Sequence, residues 1–178
     1  ACNSNKGYTV TGTVEGAADG DTVYLQTIQG RQPVKLDSAV ITNGTFTFKG
    51  AQDTAVNRYI TYQAADKDGM MTIDFFLENG NITVALGEEN KIGGTANNDT
   101  YQQFKDNFIA MSKEMNDMYR SAMSDSTLTD EQRENVMKEI EKKDSIAMDM
   151  VFNTIEANIT NAVGIQLLPS LSLIHISE

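Results

Sequence analysis

The sequence has very little of the chemistry that most active sites use. Its 178 residues include one Cys, one His, two Pro and no Trp. A single cysteine excludes a disulfide within the chain, and one Cys with one His cannot build a zinc site of thiolate and imidazole ligands or supply a hydrolytic triad. No glycine-rich phosphate loop precedes a helix, and no apolar run approaches the roughly 20 residues that span a bilayer. We therefore expect no catalytic residues, no metal and no cofactor, and a chain that is not itself an enzyme.

Basic residues are also scarce. The chain has 14 Lys and Arg against 25 Asp and Glu, a formal net charge of -11. Such a field repels phosphate backbones, so we expect no nucleic-acid partner. Seven Phe, six Tyr and nine Met are nevertheless typical of a packed protein. The length fits one domain with a core, or a small domain with an appendage.

The single cysteine, Cys2, follows Ala1 and precedes a short polar stretch. Ala1-Cys2 resembles the end of a bacterial lipobox, in which a small residue precedes the cysteine that becomes lipidated. Acyl chains on Cys2 would bury enough methylenes for stable anchoring. We therefore expect residues 1–6 to be a tether, the membrane to be a partner through Cys2, and the protein to be periplasmic in a Gram-negative envelope. The alternative is an ordinary free thiol at a chain end.

Residues 7–96 alternate apolar and polar side chains, which predicts β-strands. About seven short strands are separated by turns such as Asp19-Gly20 and Asn43-Gly44. The stretch 40–48 predicts a hairpin, because Asn-Gly adopts the positive φ angles of a type I′ turn. Phe46 and Phe48 then face the core together. We expect an antiparallel β-sandwich or barrel.

Residues 97–168 change to a helical period, which makes the fold class α+β with a long helical hairpin. A first apolar seam consists of Tyr101, Phe104, Phe108, Met111, Met115, Met118 and Ala122, and a second of Val136, Ile140, Ala147, Val151 and Ile155. Thr129 and Gln132 predict a capping box at the start of the second helix. The methionine-rich seam is a plain helix interface or a binding groove, since methionine repacks easily. A protein partner or a second copy could bind through the 101–122 helix.

Two stretches carry a resemblance: "GYTVTGTVEGAADGDTVYLQ" and "LDSAVITNGTFTFKG". They resemble the N-terminal domain of unknown function that precedes a thioredoxin-like domain in many Gram-negative lipoproteins. The matching residues are Gly12, Asp19 to Leu25, and the structural motif Asp37, Ser38, Asn43, Gly44, Phe46, Phe48 and Gly50. The run 153–168 is similar to that family's connector. The resemblance implies a C-x-x-C redox domain, and this sequence contains neither thiol.

The last residues, "LSLIHISE" at 171–178, coincide in translation with a transposon-end adapter used in sequencing libraries. We expect 169–178 to be non-native, which removes His175 from the candidate ligands, and the chain to stop ahead of a redox domain. The expected function is a non-catalytic spacer, docking or dimerising module of a membrane-anchored thioredoxin-like thiol-disulfide oxidoreductase. The alternative is a stand-alone lipoprotein that binds a glycan or a protein partner, for example on an aromatic platform of Tyr24, Tyr59, Tyr62 and Tyr101.

Overall fold

The computed structural model describes residues 6–64, 69–158 and 161–169. Cys2, His175 and the tail from residue 170 onward lie outside these described residues. The described elements are β1 Tyr8–Val14, β2 Thr22–Gln29, β3 Gln32–Val40, β4 Thr45–Gly50, β5 Val56–Gln63, β6 Met70–Leu77, β7 Gly80–Leu86, β8 Lys91–Gly93, α1 Ala96–Ser124, α2 Asp130–Ala157 and α3 Ala162–Leu167. Within the described chain, no helix is both long and apolar enough to cross a membrane.

The strands form two four-stranded sheets, ordered β4-β1-β7-β8 and β3-β2-β5-β6. Neither sheet closes on itself, so the arrangement is two open sheets and not a barrel. Each sheet buries one face, because its strands alternate apolar and polar side chains. The core includes Val10, Phe48 and Ile82 from the first sheet and Ile60 and Phe75 from the second. The α+β class is confirmed.

One pairing departs from the expected antiparallel pattern. β1 pairs in parallel with β7, with Val10 opposite Ile82, and antiparallel with β4, with Val10 opposite Phe48. The first sheet is therefore mixed. The parallel pair is possible because five strands, β2 to β6, separate β1 from β7 along the chain, which leaves room for the chain to return in the same direction.

A two-residue hairpin turn at Gly30-Arg31 joins β2 to β3. Both residues have positive φ, 55° and 72°, and Gln29 pairs with Gln32 across the turn. Positive φ at both central positions is the signature of a type I′ turn, whose twist matches the strands it joins. This turn was not predicted from the sequence, and of β3 only Val40 fell within a predicted strand, that of the 40–48 hairpin. The short β8 was also not predicted, and it brings the number of described strands to eight.

The expected hairpin at 40–48 is wrong in its pairing, although its turn exists. Asn43 and Gly44 have φ values of 52° and 72°, as an Asn-Gly turn requires. The strands on either side, β3 and β4, belong to different sheets, and only a single bridge joins Thr42 and Thr45. The turn carries the chain from one sheet to the other because β3 is already paired with β2, and β4 with β1.

Two asparagine side chains form hydrogen bonds with the backbone of the edge strand β6. Asn98, fully buried in the first turn of α1, accepts a bond from the Phe76 N–H at 2.8 Å and donates to the Phe76 carbonyl at 2.8 Å. The Asn90 side-chain amide donates at 3.0 Å to the carbonyl of Thr72, which lies four residues before Phe76 on β6. Edge strands expose backbone groups that can pair with other chains. Here side-chain amides occupy these positions on β6.

The chain divides into two compact units, residues 1–102 and 103–178. The first holds the eight strands and the start of α1, and the second holds the rest of the helical region. The predicted capping box begins α2: the Thr129 side chain accepts from the Gln132 N–H, and the Gln132 side chain accepts from the Thr129 N–H. Asn161 caps α3 by accepting from the Val163 and Gly164 N–H groups.

Candidate functional site

In the helical unit, α1 and α2 run antiparallel side by side. The Lys143 ammonium lies 2.8 Å from the Glu114 carboxylate, and the Arg133 Nε donates to the Ala122 carbonyl at 3.3 Å. These two contacts fix which residues of α1 lie beside which residues of α2. Both contacts fit one antiparallel register, because the α1 and α2 residue numbers add up to nearly the same value in each pair. Arg133 also donates to the Asp125 carbonyl at 2.9 Å. A cation thereby satisfies carbonyls at the end of α1, where the helix has no basic residue in its last turn.

The predicted seams face each other but are only partly covered, and Phe108, which was predicted to lie in the first seam, is exposed. Ala122 on α1 and Ala147, Val151 and Ile155 on α2 are buried, whereas Met111, Met115, Met118, Val136 and Ile140 are half-buried. Two helices enclose a seam less completely than a bundle of four does. The result is a hairpin with accessible apolar surface beside its seam.

A groove of about 680 Å³ opens along the ion-paired side of the hairpin. Its apolar lining is Ala110, Met118, Ala122, Leu128 and Val136, and its polar lining is Lys113, Glu114, Asp117, Ser121 and Asp125. The volume is in the range of ligand pockets, and the shape is that of an elongated surface groove between two helices. The groove is our candidate functional site.

The charged rim of the groove is predominantly acidic. Hydrogen bonds from the Thr127 hydroxyl and N–H hold the pKa of Asp125 below its usual range, and the Arg133 charge acts in the same direction. Glu114 is engaged by Lys143. The lining holds no cysteine and no histidine. The groove therefore combines an apolar floor with a mostly acidic rim, and its lining residues contain no thiol or imidazole for covalent or acid–base chemistry.

A second polar cluster, in the first unit, joins the start of α1 to β6. The Tyr101 hydroxyl donates to the Asp74 carboxylate at 2.6 Å, and the Asn57 amide donates to the same oxygen at 3.3 Å. Burial, and then the hydrogen bond to Asp74, raise the pKa of Tyr101 far above its ordinary value. The Tyr101 ring packs on Phe76 with centroids 5.1 Å apart. The hydroxyl keeps its proton at any ordinary pH, so this pair holds the helix in place and does not exchange protons.

The motif residues predicted from the resemblance serve turns and packing. Asp37 and Ser38 lie on the exposed edge strand β3, where the Ser38 N–H donates to the Asp37 carboxylate at 2.8 Å. The Gly44 N–H donates to the Asp19 carboxylate at 3.2 Å. This hydrogen bond joins the Asp-Gly turn before β2 to the Asn43-Gly44 turn before β4.

The aromatic and glycine members of the motif form one packed group. Phe46 and Phe48 are buried, with ring centroids 5.7 Å apart in an edge-to-face arrangement. A Cβ at Gly12 would collide with the Phe46 ring, and one at Gly50 would collide with the Tyr8 ring. Glycine is thus required at both positions by close approach of a ring. None of the motif residues lines the groove, which the resemblance could not have located.

Of the four tyrosines considered as a binding platform, Tyr62 lies on the buried face of the second sheet and the other three lie on its opposite face. Tyr24 and Tyr59 share that face because Tyr24 pairs with Thr61 and Gln26 with Tyr59, and Tyr101 bonds Asp74, the β6 partner of Tyr59. Tyr62 is buried and donates to the Asp21 carboxylate at 2.6 Å, and Tyr101 is buried against Asp74. Tyr24 and Tyr59 are half-buried, and the Lys35 ammonium lies 3.8 Å from the centre of the Tyr24 ring. Over the described ranges, no group of three or more His, Cys, Asp or Glu residues could hold a metal ion.

Two open sheets with the first turns of a helix bonded to an edge strand, followed by a helical hairpin with a groove, define an α+β fold. The family model described as "Domain of unknown function (DUF4369)" matches residues 8–101, and the chain belongs to that family. The match ends at Tyr101, the residue that joins α1 to Asp74. No curated protein and no solved structure matches the chain.

Proposed function

We propose that the chain is a non-catalytic docking module of a periplasmic, membrane-anchored thiol-disulfide oxidoreductase of the thioredoxin family. In this proposal the groove between α1 and α2 binds a segment of a protein substrate, and a separate thioredoxin-like domain performs the redox step. The observation that carries the docking role is the groove itself: an apolar floor containing Met118 and Val136 beneath the Asp117 and Asp125 carboxylates.

The charges of the helical unit favour a basic segment as the occupant. Residues 103–169 contain twelve acidic and seven basic side chains. Complementary charge speeds association and selects partners more than it adds affinity. An adaptable methionine in the floor suits substrates of varied sequence, because its side chain repacks around different shapes. We expect binding to weaken as salt is raised, since exposed charges are screened.

The oxidoreductase part of the proposal rests on the sequence resemblance. The residues on which the resemblance depends, from Asp19 to Gly50, form turns and core in the first unit. Their contacts are structural and do not themselves indicate a redox domain. Its first test is the intact gene: a C-x-x-C motif should lie within about one domain length of residue 168. A gene without that motif contradicts the redox assignment.

The docking role is tested in the full-length protein by comparing two substrates. Met118→Lys places a cation in the groove floor and should lower kcat/KM for a basic protein disulfide about tenfold or more, the effect of losing roughly 1.4 kcal/mol of binding. Reduction of a small disulfide reagent should not change, since it does not need the groove. Ile146→Lys is the matched control, because Ile146 is exposed on α2 and does not line the groove. Equal loss with both substrates, or no loss with either, contradicts docking.

The anchor is tested separately. The protein expressed with its own leader should incorporate radiolabelled palmitate and sediment with membranes. Cys2→Ser should abolish both, because the thioether is the attachment point in the lipoprotein reading of Ala1-Cys2. Labelling that survives in the Cys2→Ser variant contradicts anchoring through this residue.

A further inference from the structure

The helical hairpin has a second exposed surface, on the side away from the groove. On α1 it contains Phe108, Tyr119 and Met123, which are 41%, 45% and 59% exposed. On α2 it contains Met137 and Phe152, which are 38% and 42% exposed. Large apolar patches on a protein surface mark interaction sites. We call these five residues, with the half-buried Met148, the apolar face.

The apolar face is a single surface because of helical geometry. At about 100° per residue, Phe108 and Tyr119 lie about 120–140° around α1 from Glu114, with the buried seam in between. Met137 and Met148 lie at the same angle around α2 from Lys143, again beyond its seam. Since Glu114 and Lys143 bind each other on one side of the hairpin, the residues beyond both seams share the opposite side.

The two halves of the apolar face repeat the same spacing. Phe108, Ser112, Tyr119 and Met123 follow one another at steps of four, seven and four residues, and so do Met137, Glu141, Met148 and Phe152. The contacts of Glu114 with Lys143 and of Arg133 with Ala122 place Phe108 level with Met148, and Tyr119 level with Met137. An aromatic residue on one helix thus lies at the same height as a methionine on the other.

We propose that the apolar face binds a second copy of this chain, related by a two-fold axis parallel to the helices, to form a four-helix bundle. This axis sets α1 of one copy against α2 of the other. It places Phe108 against Met148 of the second copy and Tyr119 against Met137 of the second copy, in sulfur–aromatic contacts. Glu141 then faces the polar side chains of Ser112 and Asn116. A two-fold axis perpendicular to the helices would instead set α2 of one copy against α2 of the other. The Glu141 carboxylates of the two copies would then face each other.

The area agrees with a stable dimer. Residues 103–124 of α1 extend about 33 Å, and two helices side by side are about 20 Å wide, which gives roughly 650 Å² per copy. The total of about 1,300 Å² lies within the range of specific interfaces. Pairing through this face leaves the groove open, and it does not depend on the docking function or on a redox domain.

The test is sedimentation equilibrium of the purified chain over a wide concentration range, with a reductant present so that Cys2 cannot cross-link copies. The mass should rise with concentration toward twice the 19.5 kDa of one chain. Phe108→Glu, and separately Met148→Lys, should raise the dissociation constant at least about 100-fold by burying a charge in the interface. Ile146→Glu should dimerise like the wild type, because Ile146, 58% exposed, lies on the Lys143 side.

Mixing the two variants tests the two-fold axis itself. A heterodimer of the Phe108→Glu and Met148→Lys chains has one opposite-charge pair and one unchanged Phe108–Met148 contact, so the mixture should dimerise where each variant alone is monomeric. Circular dichroism confirms that each variant is folded. A wild type that stays monomeric throughout, as it would if the face binds another protein, overturns the proposal. So does a dimer that Phe108→Glu leaves intact, or a mixture that stays monomeric.

Discussion

Replacing Asn98 with leucine should destabilise the first unit by about 4 kcal/mol. The Asn98 side chain is fully buried and makes two 2.8 Å hydrogen bonds to the backbone of Phe76. Leucine fills a similar volume but leaves the Phe76 N–H and carbonyl without these partners. Each buried group that loses its hydrogen bond costs about 1–3 kcal/mol. The loss is a large fraction of the roughly 5–15 kcal/mol that stabilises a typical domain.

Urea unfolding monitored by tyrosine fluorescence measures this loss. Five of the six tyrosines lie within residues 1–102, and the chain has no tryptophan, so the signal reports mainly on the first unit. With a slope of about 2 kcal/mol per M urea, a loss of about 4 kcal/mol lowers the midpoint by about 2 M. The slope itself should not change, because the same surface is exposed on unfolding.

Asn90→Leu is the matched control. Asn90 also bonds the backbone of β6, through the Thr72 carbonyl at 3.0 Å, but its side chain is exposed and water can replace the bond. We expect a cost of about 1 kcal/mol or less. If Asn98→Leu costs no more than Asn90→Leu, the argument from buried unsatisfied backbone groups is refuted.

Three further predictions concern the packing around the two units. Tyr101→Phe should remove a pH dependence: because folding raises the pKa of Tyr101, wild-type stability should fall by about 1.4 kcal/mol per pH unit above about pH 10, where the unfolded tyrosine ionises first. Urea melts at pH 9, 10 and 11 that fall in parallel for both proteins contradict this role of the Asp74 bond. Gly12→Ala should cost about 1–3 kcal/mol by displacing the Phe46 ring, and much less in a Phe46→Leu background; strict additivity in that double-mutant cycle would disprove the clash. Thr129→Ala should cost α2 about 1 kcal/mol, seen as a lower melting temperature at 222 nm, and an unchanged melt would argue against the capping box.

Much of the fold was predictable because local patterns decide it. Strict alternation identified β1, β4 and β7, and the seam spacing identified both long helices with the Thr129 capping box. Most of β3 escaped prediction because nearly all its side chains are exposed and because it contains Pro33. An edge strand tolerates a proline, since its outward N–H has no partner to lose. The sequence also did not predict that β3 and β4, on either side of the Asn43-Gly44 turn, belong to different sheets. A turn motif specifies the geometry of the turn and not the sheet that the next strand joins.

The candidate site was less predictable than the fold. The methionine seam was visible in the sequence, and Met118 and Ala122 do line the groove. The rest of the lining, such as Asp117 and Asp125, comes from the polar positions beside the seam, which only the alignment of α1 against α2 can select. Asn98 carried no signal at all, because its role depends on a strand some twenty residues earlier in the chain. The apolar face follows from exposure, which a helical period alone does not give.

The parallel pairing of β1 with β7 limits the order in which the two sheets can form while the chain is synthesised. β1 is synthesised first, yet it occupies an interior position of its sheet, and β7 follows about 70 residues later, roughly 4–14 s at usual rates of translation. The second sheet has the close-lying β2–β3 hairpin and should begin sooner. In refolding with pulsed hydrogen exchange, β2 and β3 amides should gain protection before those of β1, and the reverse order would contradict this. Thr9, Thr11 and Thr13 alternate with the apolar side of β1, so the strand has one polar face before its partners β4 and β7 are synthesised.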